Sequence, residues 1–345
     1  MILNDSIERL LLIAPSWIGD AVMASVVYRA ARSACPNATI TIAGRPTLRP
    51  LLDGAPWFDQ VESIESKGLF GPMQAGRRLS IHRPDAVVLL PGSFRSALVA
   101  RCSGASCRIG TARDARRLLL THPLPHPDRA RPISAVEHYA RIAEASFGTE
   151  AAVDRTMSLH ICEAEQQDAE RLLGGDDRPL LLLVPGANRA DKRWPVERFA
   201  EAANTLARSH GLRIVVCGAP GESELATSLT SLLPAGTING PTAGVGLGVL
   251  KVLAARAALV ITNDTGPRHI AAAMGAPIVS LFGPTDHRWT TLPGVRECAV
   301  LADPFLPEDL VADHHPQRCA IELITVNDVI AAGDRLLDES IAAVT

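Results

Sequence analysis

No run of the chain approaches the ~20 apolar residues that span a bilayer, so no membrane helix is expected. Residues 1–9 carry acids and no basic region, unlike a secretory signal. The seven cysteines are odd in number and scattered, which suits a reducing compartment and not a disulfide framework. Cys102 and Cys107 have no matching pair or histidine close by in sequence and read as core thiols. His314, His315 and Cys319 lack a second ligand pair, so no metal is expected there. Aromatics are scarce, at 4%, too few to interleave with basic residues as a stacking platform for single-stranded nucleic acid requires. A net charge of −3 adds no whole-molecule attraction to nucleic acid. The G-x-G-x-x-G fingerprint is missing, which sets aside an NAD-dependent dehydrogenase, and no Asp-x-Asp metal motif is present. What remains is a globular chain, 47% hydrophobic, whose 345 residues suffice for two domains with separate cores. A soluble, cytoplasmic protein is expected.

The most informative stretch is Ala258 to Pro277. Leu259 to Ile261 is a short apolar run of the kind a buried parallel strand shows. Asn263, Asp264 and Thr265 offer cap oxygens, Gly266 relaxes the turn, and Pro267 suits a first helical turn that needs no N–H there. A helix N-terminus at the carboxyl end of a strand is where open α/β sheets bind phosphates. His269 follows within that first turn and enriches the site beyond what capping needs.

The same strand–turn–helix grammar runs through the first half. Strands are expected at residues 9–14, 39–43, 61–64 and 86–90, alternating with helices, which means a parallel sheet covered on both faces. The turn Pro15-Ser-Trp-Ile-Gly-Asp20 puts Ser16, Gly19 and Asp20 at the ligand edge, where Asp20 is equally suited to capping. Between Arg77 and Arg131 eleven arginines face Asp85, Asp114 and Asp128, and arginine without lysine favours forked recognition of phosphate or carboxylate. An anionic partner is expected for this half.

A domain boundary is expected near residues 160–178, giving domains 1–165 and 178–345. The second begins with the strand 179–184 and the turn Pro185 to Pro195, which carries Asn188, Lys192 and Arg193. Lysine beside free helix N–H groups would grip a pyrophosphate, and a surface basic pair is the alternative. Glu222, after the strand 212–217, can accept from ribose hydroxyls or complement a helix dipole. Two α/β units in tandem, each with polar turns at its ligand edge, predict a cleft between them.

Taken in order, Pro15 to Asp20, Leu90-Pro-Gly-Ser-Phe-Arg-Ser-Ala-Leu98, Gly110-x-x-Arg113 with Arg116, Glu137-His-Tyr139, Pro185-Gly-Ala with Lys192-Arg-Trp-Pro195, Thr262-Asn-Asp-Thr-Gly266 with His269, and Gly283-Pro-Thr285 carry a resemblance. The chain resembles the ADP-heptose:lipopolysaccharide heptosyltransferases of glycosyltransferase family 9, the type II enzymes above all. The resemblance implies a GT-B fold: two Rossmann-like α/β/α domains facing each other across a cleft, the last helix (about 325–342) packing back on the first domain. It implies inverting, metal-independent transfer of L-glycero-D-manno-heptose from ADP-heptose to the inner core of lipopolysaccharide, at the inner membrane surface and without a cofactor. By the same resemblance Asp20 is the base and Lys192 the diphosphate cation. Ser16, Gly19, Asn188, Glu222, Asp264, Thr265, Gly266 and His269 join Lys192 in binding the donor. Ser93, Arg95, Arg113 and Arg116 meet the acidic acceptor. Glu222 could exchange places with Glu224. Two departures from the family are visible: Pro267-Arg268 after the Asp-Thr-Gly turn, and Gly92 where type II enzymes usually show Asn. A family relative with another sugar or acceptor, or a two-lobed binding protein without turnover, are the alternatives.

Overall fold

The computed structural model describes residues 2–3, 6–126, 133–148, 153–302, 306–307, 310, 312–315 and 317–342. Arg129, Arg131 and Asp128 of the arginine-rich segment lie outside the described residues. The chain forms two units, residues 1–160 with Arg288–Thr291, and residues 161–287 with 292–345.

The first unit runs β1 (Arg9–Ile13), α1 (Ile18–Met23), α2 (Ser25–Ala34), β2 (Thr39–Gly44), α3 (Arg49–Leu52), β3 (Gln60–Ser63), α4 (Gly71–Leu79), β4 (Ala86–Leu89), α5 (Phe94–Cys102), β5 (Cys107–Thr111), β6 (His122–Leu124) and α6 (Ala135–Phe147). Its sheet is six-stranded and parallel, in the order β3-β2-β1-β4-β5-β6. The buried runs Leu10 to Ile13 and Ala86 to Leu89 occupy its centre, as strands covered on both faces must.

The second unit runs α7 (Glu163–Leu173), β7 (Leu180–Val184), α8 (Val196–His210), β8 (Arg213–Val216), α9 (Ser223–Ser231), β9 (Ile238–Asn239), α10 (Leu247–Ala255), β10 (Ala257–Asn263), α11 (Gly266–Ala273), β11 (Ile278–Phe282), β12 (Glu297–Leu301) and α12 (Val326–Ala342). Its parallel sheet repeats the pattern, β12-β11-β10-β7-β8-β9. Numbered within each unit, both read 3-2-1-4-5-6, the doubly wound order of a dinucleotide-binding fold. In each, the strand order reverses between the first and fourth strands, β1/β4 and β7/β10. There the turns leave in opposite directions and open a crevice at the carboxyl edge.

Residues 163–173 form α7 and belong to the second unit, where the buried Lys251 Nζ lies 2.9 Å from Glu165 Oε1. One expectation is corrected. The closing helix α12 lies on α8, β10, β11 and β12 of its own unit's sheet, because Val329, Ala332, Leu336 and Leu337 complete that unit's core.

Candidate active site

In the first unit, Asp20 follows β1 at the reversal point. The cap position of α1 is taken by Trp17 in extended conformation with no side-chain cap bond, so Asp20 is a first-turn residue and not the cap. Its Oδ1 accepts from Tyr139 Oη at 3.2 Å, a bond that reaches from α1 to α6. Burial pushes the Asp20 carboxyl above the ordinary aspartate range, and the Tyr139 hydrogen bond opposes that rise. The same burial, with Asp20 nearby, raises the Tyr139 phenol. A half-buried carboxylate whose proton affinity is raised, with one oxygen fixed by a donor, is suited to taking a proton. Ser16 is exposed and Gly19 buried in the same turn. Glu137, one turn before Arg141 on α6, is occupied by Arg141 Nε at 3.0 Å and Arg155 Nε at 2.7 Å.

β4 is the neighbour of β1, and its turn, Pro91-Gly92-Ser93, faces the same crevice. Ser93 caps α5, its Oγ accepting from Ser96 N at 3.2 Å. The arginines here do more than face solvent. Arg95 donates to the carbonyls of Ser66 and Gly68, and Arg108 to those of Ala105 and Leu119. Arg116, expected to face an acidic acceptor, is 1% exposed, and its Nη1 donates to Pro91 O at 2.8 Å. Its Nε and Nη2 have no hydrogen-bond partner among the described residues. Arg113 is exposed on the same segment. Cys107, read as a core thiol without a histidine nearby, is half-buried, with Sγ 3.4 Å from Nδ1 of His122 on the adjoining strand.

In the second unit, three adjacent strands deliver their turns to one edge. Lys192, after β7, places Nζ 2.9 Å from Asp264 Oδ2, after β10. Asn263, expected as a cap, instead joins the two loops: its Nδ2 donates to Pro185 O at 2.8 Å and its Oδ1 accepts from Trp194 N at 3.2 Å. Thr265 takes the cap position of α11 with no side-chain cap bond; Pro267 has no N–H and Arg268 N donates to Thr265 O at 3.1 Å, which leaves the Gly266 N–H at the helix start for another partner. Burial alone would raise the Asp264 carboxyl, but the charges of Lys192, Arg268 and His269 together with the Lys192 hydrogen bond hold it below its ordinary value. His269 is buried, and desolvation, then the Arg268 charge, lowers its pKa to about 3. It is a neutral imidazole at the helix start, with Nδ1 unpartnered among the described residues.

Glu222, from the turn after β8, accepts from Ala219 N at 2.9 Å through Oε2. Its carboxylate also lies against the turn after β7: a Cβ on Gly186 would stand 2.2 Å from Glu222 Oε1. Glu224 is exposed on α9. Asn188 is exposed on the β7 loop. Gly186→Ala is therefore expected to expel the Glu222 carboxylate with the fold intact; if Glu222 accepts from ribose hydroxyls, as the family resemblance implies, calorimetric titration should then show ADP binding weakened about tenfold.

The comparisons with known proteins meet this geometry. Residues 73–305 match the model of glycosyltransferase family 9 (heptosyltransferase). The lipopolysaccharide heptosyltransferase 2 of Salmonella typhimurium is 30% identical over 301 residues, 82% of this chain and 84% of its own length. The chain belongs to glycosyltransferase family 9. Among solved structures, the ADP-heptose lipopolysaccharide heptosyltransferase II of Escherichia coli superposes with a TM-score of 0.79 at 25% identity, over 96% of this chain and 99% of that one. A family 9 glycosyltransferase from Veillonella parvula gives 0.83 at 22% identity, over 98% and 99%. Two Rossmann-like units of GT-B type are thus the fold of this family 9 glycosyltransferase.

The two departures from the family now have a structural account. Arg268 is 1% exposed and runs down between α11 and the sheet. Its Nε and Nη2 fork onto Glu297 at 2.6 and 2.9 Å, Nε reaches Ser280 Oγ at 3.0 Å, and its guanidinium carbon lies 4.8 Å from the centre of the Phe282 ring. Nη1 remains 3.4 Å from Asp264 Oδ1, so Arg268 supports the turn from beneath. Glu297, on β12, was not foreseen. Arg268→Leu leaves the largely buried Glu297 carboxylate with the Ser280 hydroxyl but without its guanidinium partner and is expected to destabilise the second unit by about 3 kcal/mol. The Arg268→Leu/Glu297→Leu double variant should recover most of that loss in urea unfolding. Gly92 has no positive φ, and a Cβ there would meet only Arg116 Nη1 at 3.7 Å, so the turn accommodates a side chain without strain.

Proposed function

We propose that this family 9 glycosyltransferase moves L-glycero-D-manno-heptose from ADP-heptose to the inner core of lipopolysaccharide, with inversion and without a metal. The observation that carries the reading is the Lys192–Asp264 pair at an uncapped helix start, at the reversal point of a 3-2-1-4-5-6 sheet. That arrangement suits a diphosphate, and the relatives named for heptose transfer supply the sugar and the acceptor. Lys192 and the Gly266 N–H at the start of α11 would neutralise the leaving diphosphate, the task a divalent ion performs elsewhere. Asp264 keeps Lys192 in place, and Glu222 beside Gly186 would accept from ribose hydroxyls. Ser16, Gly19, Asn188, Thr265, Gly266 and neutral His269 complete the proposed donor set.

Asp20 would remove the proton from an acceptor hydroxyl as that oxygen attacks the anomeric carbon opposite ADP. The new bond forms from the hydroxyl oxygen to carbon, the bond from carbon to the diphosphate oxygen breaks, and the pair leaves with ADP. Ser93, Arg95, Arg113 and Arg116 are the proposed acceptor side, Arg116 acting through the Pro91–Ser93 turn that it holds. Lipid on the acceptor places the reaction at a membrane surface.

A panel of nucleotide sugars with deacylated inner-core acceptor, read as nucleotide release, tests the reading. ADP release from ADP-heptose alone is expected; preference for a UDP or GDP donor would refute the assignment of the sugar donor. Because burial raises the Asp20 pKa, the acid limb of kcat/KM should lie above the ordinary aspartate value of about 3.9. The Tyr139 bond opposes that rise, so Tyr139→Phe should move the limb to higher pH and lower the plateau about three- to tenfold. A pH profile that does not move contradicts this.

A further inference from the structure

The first unit leaves four large apolar side chains in solvent at one corner. Leu69 is 80% exposed, Phe70 61%, Phe94 50% and Leu118 87%. Their proximity follows from contacts that do not involve them. Arg95, in the first turn of α5, donates to Ser66 O and, at 2.7 Å, to Gly68 O, just ahead of α4. Further along, a Cβ on Gly76 of α4 would stand 2.5 Å from Val99 O and 2.5 Å from Cys102 Cβ of α5. The two helices therefore run side by side in the same direction, with Phe70 and Phe94 at the same end. Arg116, bonded to Pro91 O ahead of α5, brings the 3₁₀ turn Asp114–Leu119, and with it Leu118, to that end as well.

Single exposed apolar residues need no explanation, but four held at one corner do. The corner is also fixed in its exposed form, because Arg95 ties down the loop that carries Leu69 and Phe70. Its rim is basic on balance: Lys67, Arg95, Arg113 and Arg117 are all exposed there, with the exposed Glu65 paired to Lys67 at 3.0 Å. The corner stands beyond β4 and β5, at the carboxyl edge of the sheet, the edge that carries Asp20. Apolar side chains that can enter the headgroup–acyl boundary, ringed by cations, match a bilayer with acidic headgroups.

We propose that Leu69, Phe70, Phe94 and Leu118, with their basic rim, dock the first unit on an anionic phospholipid surface. This deepens the transferase reading, which supplies the reason for docking, but binding to lipid needs neither donor nor acceptor. The test is cosedimentation of the full chain with vesicles of phosphatidylcholine, alone or with about 30 mol % phosphatidylglycerol. Binding is expected to the anionic vesicles only, and to be lost at about 0.5 M salt. A Leu69→Ser/Phe70→Ser/Leu118→Ser variant should bind about tenfold or more weakly, with unchanged thermal unfolding and unchanged turnover on a deacylated soluble acceptor. No binding by the parent chain, equal binding to neutral vesicles, or undiminished binding by the variant overturns the proposal. Self-association that the same variant abolishes, without vesicle binding, would assign the corner to a second copy and also overturn it. Intact vesicle binding in a chain that transfers no sugar would overturn the transferase reading alone.

Discussion

Asp20→Asn is expected to lower kcat by about 10²–10⁴ while ADP-sugar affinity stays within about threefold of the parent. The folded-state pKa of Asp20 is raised, so whatever stability its carboxyl contributes is present at low pH and lost as pH rises through that pKa. At neutral pH the ionised, part-buried carboxylate is a cost to the fold, and the isosteric amide removes it. Asn can still accept from Tyr139 Oη, which lies 3.2 Å from Oδ1. Unfolding at neutral pH should therefore show a variant as stable as the parent or more so. A structural acid would behave in the opposite way, with activity kept and stability changed. Parental turnover by Asp20→Asn would end the mechanism proposed above. Loss of turnover with loss of the fold would be traced through Asp20→Ser, which removes the carboxylate without burying an amide.

Lys192→Ala is expected to lower kcat by about 10²–10³ and to weaken ADP binding by about tenfold or more. Lys192 and Arg268 balance Asp264 and Glu297, so the second unit presents a locally neutral cluster to any ligand. A diphosphate must then be held by donors, and an ammonium has three protons, one of which goes to Asp264. Removing Lys192 also leaves Asp264 leaning on Arg268 at 3.4 Å, a weaker bond than the 2.9 Å one that is lost, so stability should fall too. The double variant Lys192→Met/Asp264→Asn separates the two effects. It removes both charges, so it should regain stability and not turnover. If it regains turnover, Lys192 serves only as an ion-pair partner for Asp264.

Much of the fold was legible because parallel strands covered on both faces announce themselves as short apolar runs. Leu180 to Val184 and Ala86 to Leu89 are of this kind, and all are buried. The strands that escaped notice lack that signature. β5 carries Cys107, Arg108, Gly110 and Thr111, β6 is three residues with a proline, and β9 is two residues long. β12 opens with Glu297, whose charge makes sense only once Arg268 is seen 2.6 Å away.

The turns of the candidate site were legible for a similar reason: Asp-Thr-Gly-Pro after an apolar run is local chemistry. What pairs across the site was not. Tyr139 meets Asp20 from 119 residues away, and Lys192 meets Asp264 across 72. Arg116 illustrates the limit most sharply. An arginine among ten others reads as surface charge, and only packing reveals that Pro91 O and the space beside Gly92 and Gly110 make a place for it inside.

The central claim, direct displacement of ADP by an acceptor oxygen that Asp20 deprotonates without a metal, has one most direct measurement. It is the anomeric configuration of the heptoside formed from the β-linked ADP-heptose in the presence of excess EDTA, read by NMR of the product. An α-heptoside formed at the rate seen without chelator is expected. A β-heptoside, or no product until a divalent ion is restored, would contradict it.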